Sequence, residues 1–359
     1  MSRTEDEVLD AIEKRRRRPH FKVMDEHITL AHGAGGRSSH VLIETLFGRA
    51  FDNPLLAPMA DAATFDVKGA RLAFSTDSFV VRPLVFPGGD IGELAVNGTV
   101  NDLAMAGARP LALSAAFVLE EGFPVKDLAR IAESMAAAAA AAGVPIATGD
   151  TKVVERGNAD GLYICTSGVG LVRDDANLAA ERMQPGDKVL VSGTMGDHGM
   201  AIMIARGDLE LEVDLRSDTA PLNELVEQLL DAGGDAIRCL RDPTRGGLAT
   251  VLNELAMTAE VGVVIDEEAV PLRPETNGAC EILGIDPLHV ANEGKLVAVV
   301  APEAAEELLA VLRAHPLGLE SAIVGGVNAE PPGMVLLDTA FGGSRVVDML
   351  AGDPLPRIC

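Results

Sequence analysis

The feature that most limits how this chain of 359 residues can fold is an alternation of short β-rich segments with helical ones, run through twice and broken once by a polar stretch. In the first round, residues 71–75 and 79–85 read as strands, 91–106 as a helix, 110–119 as a strand, 125–142 as a helix, and 144–148 and 161–172 as strands. The polar stretch 173–186 carries Asp174, Asp175, Asn177, Pro185 and Gly186 and reads as a linker. The second round places strands at 188–192, 236–240, 261–266, 296–300, 321–325 and 334–337, with helices at 198–205, 221–232, 247–258 and 302–314. An α+β fold of two domains, 27–172 and 173–347, is therefore expected. Residues 1–26, with the run Lys14 to Arg18, lack apolar periodicity and are expected to form a flexible extension. Residues 348–359 hold Pro354 and Pro356 and are expected to be a flexible, extended tail.

Composition narrows the partners. Aromatic residues are 3% of the chain, with no Trp and one Tyr, so the core must be built from Ala, Val, Leu, Ile and Met. Aromatic platforms for single-stranded nucleic acid are excluded by the same scarcity. The net charge of −24 argues against nucleic acid and anionic membranes, whose phosphates call for clustered Lys and Arg, but leaves room for small anions carried with a metal ion. No apolar run of about 18 residues occurs and the first ten residues are acidic, so a membrane span and a signal peptide are not expected and a cytoplasmic protein is. Seven consecutive alanines, 136–142, suggest a helix packed closely against a sheet. Cys165, Cys239, Cys280 and Cys359 form no C-x-x-C pair, which disfavours a zinc ribbon or disulfide framework.

Four aspartates stand beside Gly, Asn or Thr at the edges of predicted elements: Asp77, Asp102, Asp150 and Asp242. Any one alone reads as a turn or cap residue. Together, and with Asn97, they offer the hard oxygen ligands that magnesium shares with nucleotide phosphates. The loop His32-Gly-Ala-Gly-Gly-Arg-Ser38 contains Gly33, Gly35 and Gly36, which let backbone N–H groups approach phosphate oxygens. It lacks the Lys of a P-loop. Lys152 can neutralise charge on a transferring phosphoryl group and a buried Glu293 can act as a general base, surface ion pairing being the alternative for both. His198 reads either as a proton carrier or as a structural histidine. Cys359, the last residue, is expected to be exposed at the tip of the tail, where a thiol suits a covalent carrier.

Read together, His32-Gly-Ala-Gly-Gly36, Ser75-Thr-Asp-Ser78, Leu94-Ala-Val-Asn-Gly-Thr-Val-Asn-Asp102, Gly149-Asp-Thr-Lys152, Asp242-Pro-Thr-Arg-Gly-Gly247, Ala291-Asn-Glu-Gly294 and the terminal Pro356-Arg-Ile-Cys359 resemble the HypE family of hydrogenase maturation proteins. The resemblance runs from about His27 to Cys359, and the ending sets it apart from aminoimidazole ribonucleotide synthetase and selenophosphate synthetase in the same superfamily. It implies a two-domain PurM-like (aminoimidazole ribonucleotide synthetase-like) fold, a homodimer, and ATP with Mg2+ as cofactors. The implied reaction is ATP-dependent dehydration of an S-carbamoyl group on Cys359 to a thiocyanate, the carbamoyl arriving from a HypF-type carbamoyltransferase. The cyano group would then pass to iron on a HypC–HypD complex for the [NiFe]-hydrogenase centre. Implied nucleotide contacts are Gly33, Gly35, Gly36, Asp77, Asn97, Asp102, Asp150 and Thr151, metal ligands Asp77, Asp102, Asp150 and Asp242, and catalytic residues Cys359, Lys152 and Glu293. Another ATP-dependent enzyme of the superfamily and a non-catalytic maturation scaffold are the competing readings.

Overall fold

The structure, a computed structural model, describes residues 26–207, 213–350, 352 and 355–359. The basic run Lys14 to Arg18 lies outside them. Two sheets organise the described residues. The first has the order β1-β2-β5-β3-β4 and comprises β1 (Ala63–Val67), β2 (Ala70–Phe79), β3 (Ala108–Glu120), β4 (Ile146–Val154) and β5 (Leu162–Val172). Its pairs are antiparallel except β3 with β4, which are parallel and joined by α2 (Val125–Ala141). One sheet face is covered by α1 (Ile91–Met105), whose side chains are buried nearly all round. Asp90 caps α1, accepting from the N–H groups of Gly92 at 2.8 Å and Glu93 at 3.0 Å.

The alanine-rich α2 packs beside α1, and its Ile131, Met135, Ala138 and Ala139 share a buried cluster with Leu113, Ala115 and Leu119 of β3. Ala138 and Ala139 of α2 are buried, and a Cβ on Gly92 of α1 would come within 2.6 Å of the Ile131 carbonyl oxygen. The expected strand 79–85 is corrected. β2 runs unbroken to Phe79 and stops there, because the N–H groups of Val80 and Arg82 turn to the C-terminal tail, reaching the carbonyls of Cys359 at 3.2 Å and Arg357 at 3.1 Å.

The second sheet has the order β12-β11-β8-β10-β6-β9-β7, from β6 (Lys188–Val191), β7 (Ile237–Arg241), β8 (Gly262–Asp266), β9 (Val297–Val300), β10 (Ala322–Asn328), β11 (Val335–Asp338) and β12 (Ser344–Val347). Its helices are α3 (Asp197–Ala205), α4 (Asn223–Gly233), α5 (Gly247–Ala259), α6 (Pro274–Leu283) and α7 (Ala305–Ala314). The core is aliphatic, as the composition requires, with Phe79 standing among Ile, Leu and Met as its largest fully buried side chains. The tail returns to this core: Leu355, Ile358 and Cys359 join a cluster with Ile91, Met200 and Val290. Burial of those apolar side chains favours docking by about 1.5–3 kcal/mol for each large one. Cys359, expected at an exposed tip, is 5% exposed in this docked position.

Candidate active site

β2 alternates, so Ala73, Ser75, Asp77 and Phe79 face α1 while Phe74, Thr76 and Ser78 face outward. α1 brings Asp102 opposite Ser75, whose hydroxyl donates to the Asp102 carboxylate. The loop after β7 supplies Asp242, and the segment before β1 supplies Asp61. Oxygens of Asp61, Asp102 and Asp242 lie within 4.8 Å of one another. Burial raises all three carboxyls, Asp61 to about 6, and for Asp102 the charges of Asp242, Asp61 and Asp77 add to the rise. Arg241 offsets part of this for Asp61 and Asp242; its Nη1 sits 2.5 Å from Asp61 Oδ1. Three hard oxygen donors that repel one another in a dehydrated site suit a small divalent cation.

Beside this cluster stands the terminal thiol. Arg245 shares a cavity lining with it, and the buried Glu293 is close enough for its charge to bear on the thiol. Arg245 also reaches Asp77 Oδ1 at 3.9 Å and donates to the Gly33 carbonyl at 2.8 Å. Burial pushes the Cys359 thiol up, Arg245 opposing and Glu293 adding. Glu293 is itself raised well above the carboxylate range, by burial first and then by Asp77, Asp242 and Asp218. The arrangement can therefore hold a neutral sulfur group, take up protons at Glu293 and steady developing negative charge at Arg245.

Residues 59–172 match the family of the AIR synthase related protein, N-terminal domain, and residues 184–337 that of its C-terminal domain. Carbamoyl dehydratase HypE of Rhizobium leguminosarum bv. viciae is 56% identical over 337 residues, 94% of this chain and 96% of that protein. The chain belongs to the HypE family. A solved HypE–HypF complex has a TM-score of 0.82 at 51% identity, covering 86% of this chain and 99% of that one. A hydrogenase maturation protein HypE solved in complex with ATP has a TM-score of 0.78 at 50% identity, covering 93% and 100%. The fold is the two-domain α+β architecture of the AIR synthase group.

Of the site residues read from sequence, the structure of this HypE-family chain gathers Asp77, Asp102, Asp242, Glu293 and Cys359. Asn97 is fully buried one turn before Asn101, donating to Thr219 Oγ1 at 3.2 Å, with its Oδ1 unpartnered. Asp150 and Lys152 are not brought to the acidic cluster within one chain. They lie on edge strand β4 in register with Ala116 and Val118, on the sheet face opposite Asp77, and pair with each other at 2.5 Å in the open. Thr151, between them, donates its N–H to Asp150 at 2.8 Å. In the Gly-rich loop, Gly35 at φ +73° and Gly36 let the backbone pass close to Arg245 and Leu350: a Cβ would fall 2.6 Å from Arg245 Cβ and 2.3 Å from the Leu350 oxygen. Gly33 borders a cavity of about 140 Å³ shared with Arg245, His289, Leu350 and Cys359, smaller than the roughly 300–1,000 Å³ of ordinary ligand pockets. With the tail docked, this loop faces the tail. Sequence reasoning missed Asp61 and assigned no role to Arg245, although the latter stands inside the quoted Asp242-Pro-Thr-Arg-Gly-Gly turn.

Proposed function

We propose that this HypE-family chain converts an S-carbamoyl group on its own Cys359 into a thiocyanate, ATP being consumed to ADP and phosphate. The observation that carries the reading is the burial of Cys359 in a cavity lined also by Arg245, which itself reaches Asp77 at 3.9 Å beside the acidic cluster. An amide oxygen leaves poorly as oxide and well as phosphate, so the carboxamide oxygen must be phosphorylated, after which both protons on its nitrogen are lost and the C≡N bond forms. In its ionised form Glu293, made a stronger base by burial, takes one proton from that nitrogen, and the departing phosphate carries off the other as the C–O bond breaks. Arg245 balances negative charge at the same point. Because burial raises the docked thiol, it is a poor nucleophile there; the carbamoyl group is then acquired with the tail out, and dehydration follows with the tail in.

Asp61, Asp102 and Asp242, with Asp77 alongside, fit Mg2+ by their donor chemistry. When bound, that ion would neutralise phosphate oxygens during transfer. Gly33, Gly35, Gly36 and Asn97 are assigned to the nucleotide side. Asp150, Thr151 and Lys152 are assigned to a site completed in a homodimer, since their strand borders an outer face carrying exposed Phe74, Leu111 and Val118, suited to a second copy. A HypF-type carbamoyltransferase is the donor partner and a HypC–HypD complex the cyano acceptor, both in the cytoplasm. Among the described residues no helix is long and apolar enough to cross a membrane.

The test is phosphate release from ATP by protein with and without a carbamoyl group on Cys359. Release that requires the carbamoylated thiol supports dehydration. Nucleotide binding with no such release would favour the scaffold reading, and release indifferent to Cys359 would favour a different superfamily substrate.

A further inference from the structure

The docked tail and Glu293 are joined by a run of hydrogen bonds that passes through one short loop. His198, on α3 and fully buried, has both ring nitrogens engaged: Nε2 lies 2.7 Å from the Ile358 carbonyl and Nδ1 2.8 Å from Ser217 Oγ. A carbonyl can only accept, so Nε2 carries the hydrogen and the Ser217 hydroxyl donates to Nδ1. Ser217 Oγ in turn accepts from the Thr219 N–H at 3.1 Å. Between them, Asp218 Oδ1 accepts from the Glu293 N–H at 2.9 Å, and Lys295 Nζ stands 3.4 Å from its other oxygen. Glu293 and Cys359, next to Ile358, are both buried, so the two ends of this run of bonds carry the carboxyl and the thiol. The loop cannot slide freely, since the Ser217 N–H is tied to the Pro87 carbonyl at 2.8 Å.

We propose that His198 is a positioning residue for the dehydration: it grips the last internal carbonyl of the tail and, through the loop from Ser217 to Thr219, sets the Cys359 sulfur at a fixed place relative to Glu293. The proposal rests on the function assigned above, but its first readout does not. His198 touches neither the sulfur nor the nucleotide residues, so its loss frees the tail without removing a reacting group. The substitution His198→Leu removes both ring partners at similar bulk, while His198→Gln keeps a donor for the Ile358 carbonyl.

The experiment measures the alkylation rate of Cys359 by iodoacetamide, mapped by peptide mass, beside ATP affinity and the rate of thiocyanate formation on carbamoylated protein. His198→Leu is expected to alkylate about tenfold faster, the factor that goes with one lost internal hydrogen bond, with ATP affinity unchanged and thiocyanate formation slowed by at least as much. His198→Gln is expected to recover most of both. Wild-type alkylation in His198→Leu overturns the proposal whether or not turnover falls, because the residue would not then be holding the tail. Faster alkylation with wild-type turnover overturns it too, because the grip would not matter to the chemistry. Should His198→Leu fail to fold, Ser217→Ala, which removes the hydroxyl that fixes the ring, carries the same test, and an unchanged alkylation rate there is equally fatal. A wild-type protein that alkylates slowly yet never forms thiocyanate would defeat the assigned function while the alkylation comparison still decides who holds the tail.

Discussion

Gly294 is where the smallest added group should do the most damage. A Cβ there would lie 1.8 Å from the Asp218 carbonyl oxygen, 2.9 Å from its carbon and 3.0 Å from the Ala220 nitrogen, all backbone atoms. A carbon–oxygen contact settles near about 3.3 Å, so in Gly294→Ala the two strands of chain must separate by about 1.5 Å. The bond from the Glu293 N–H to Asp218, 2.9 Å in the native chain, cannot survive that shift. Overpacking of this kind costs about 1–3 kcal/mol of stability. Misplacing a catalytic group by about 1 Å costs on the order of 100-fold in rate. The variant should therefore melt several degrees lower, still bind ATP, and form thiocyanate on carbamoylated Cys359 about 100-fold more slowly in a single-turnover mass assay. A folded Gly294→Ala protein with turnover within about threefold of wild type would refute the argument that this backbone contact places the base.

Other consequences follow from the same geometry. Cys359→Ala should abolish thiocyanate formation while leaving ATP affinity unchanged by titration; lost nucleotide binding would mean the thiol is part of the nucleotide site. Asp102→Asn should weaken Mg–ATP binding by about 10–100-fold in calorimetry, and unchanged affinity would remove Asp102 from the metal set. Asp61, raised by burial from 3.8 to about 6, keeps its proton more tightly in the folded chain. Its contribution to stability is therefore complete below about pH 4 and lost as pH rises through about 6. Melting of metal-free wild type should fall across that window and that of Asp61→Asn should fall less; parallel curves would contradict the assignment.

Much of the fold could be read from local pattern because its signals are local. The helix at 91–106 and the strand at 161–172 appear at nearly those bounds, as Ile91–Met105 and Leu162–Val172. Asp77, Asp102, Asp242, Glu293 and Cys359 were legible from the Gly, Asn, Thr or Pro residues around them, although Asp77 lies within β2 and Asp102 within α1 and not at turns. Asp61 had no such mark: its partner Arg241 is 180 residues away, and only the folded chain joins them. Strand alternation sends Asp150 and Lys152 to the sheet face opposite Asp77, a placement that depends on the pairing of β4 with β3 and not on any local pattern. For the tail, the burial of Leu355 and Ile358 depends on Ile91, Met200 and Val290, residues far away in sequence that only the folded chain brings together.

The central claim is that Cys359 is the group on which the reaction occurs. Its most direct test is the intact mass of the protein after incubation with ATP, Mg2+, carbamoyl phosphate and an active HypF-type carbamoyltransferase, followed by peptide mapping of the tail. The account predicts a carbamoyl adduct on Cys359 that loses the mass of one water only when ATP is present. An adduct that persists unchanged with ATP, or that maps to Cys165, Cys239 or Cys280, would contradict it.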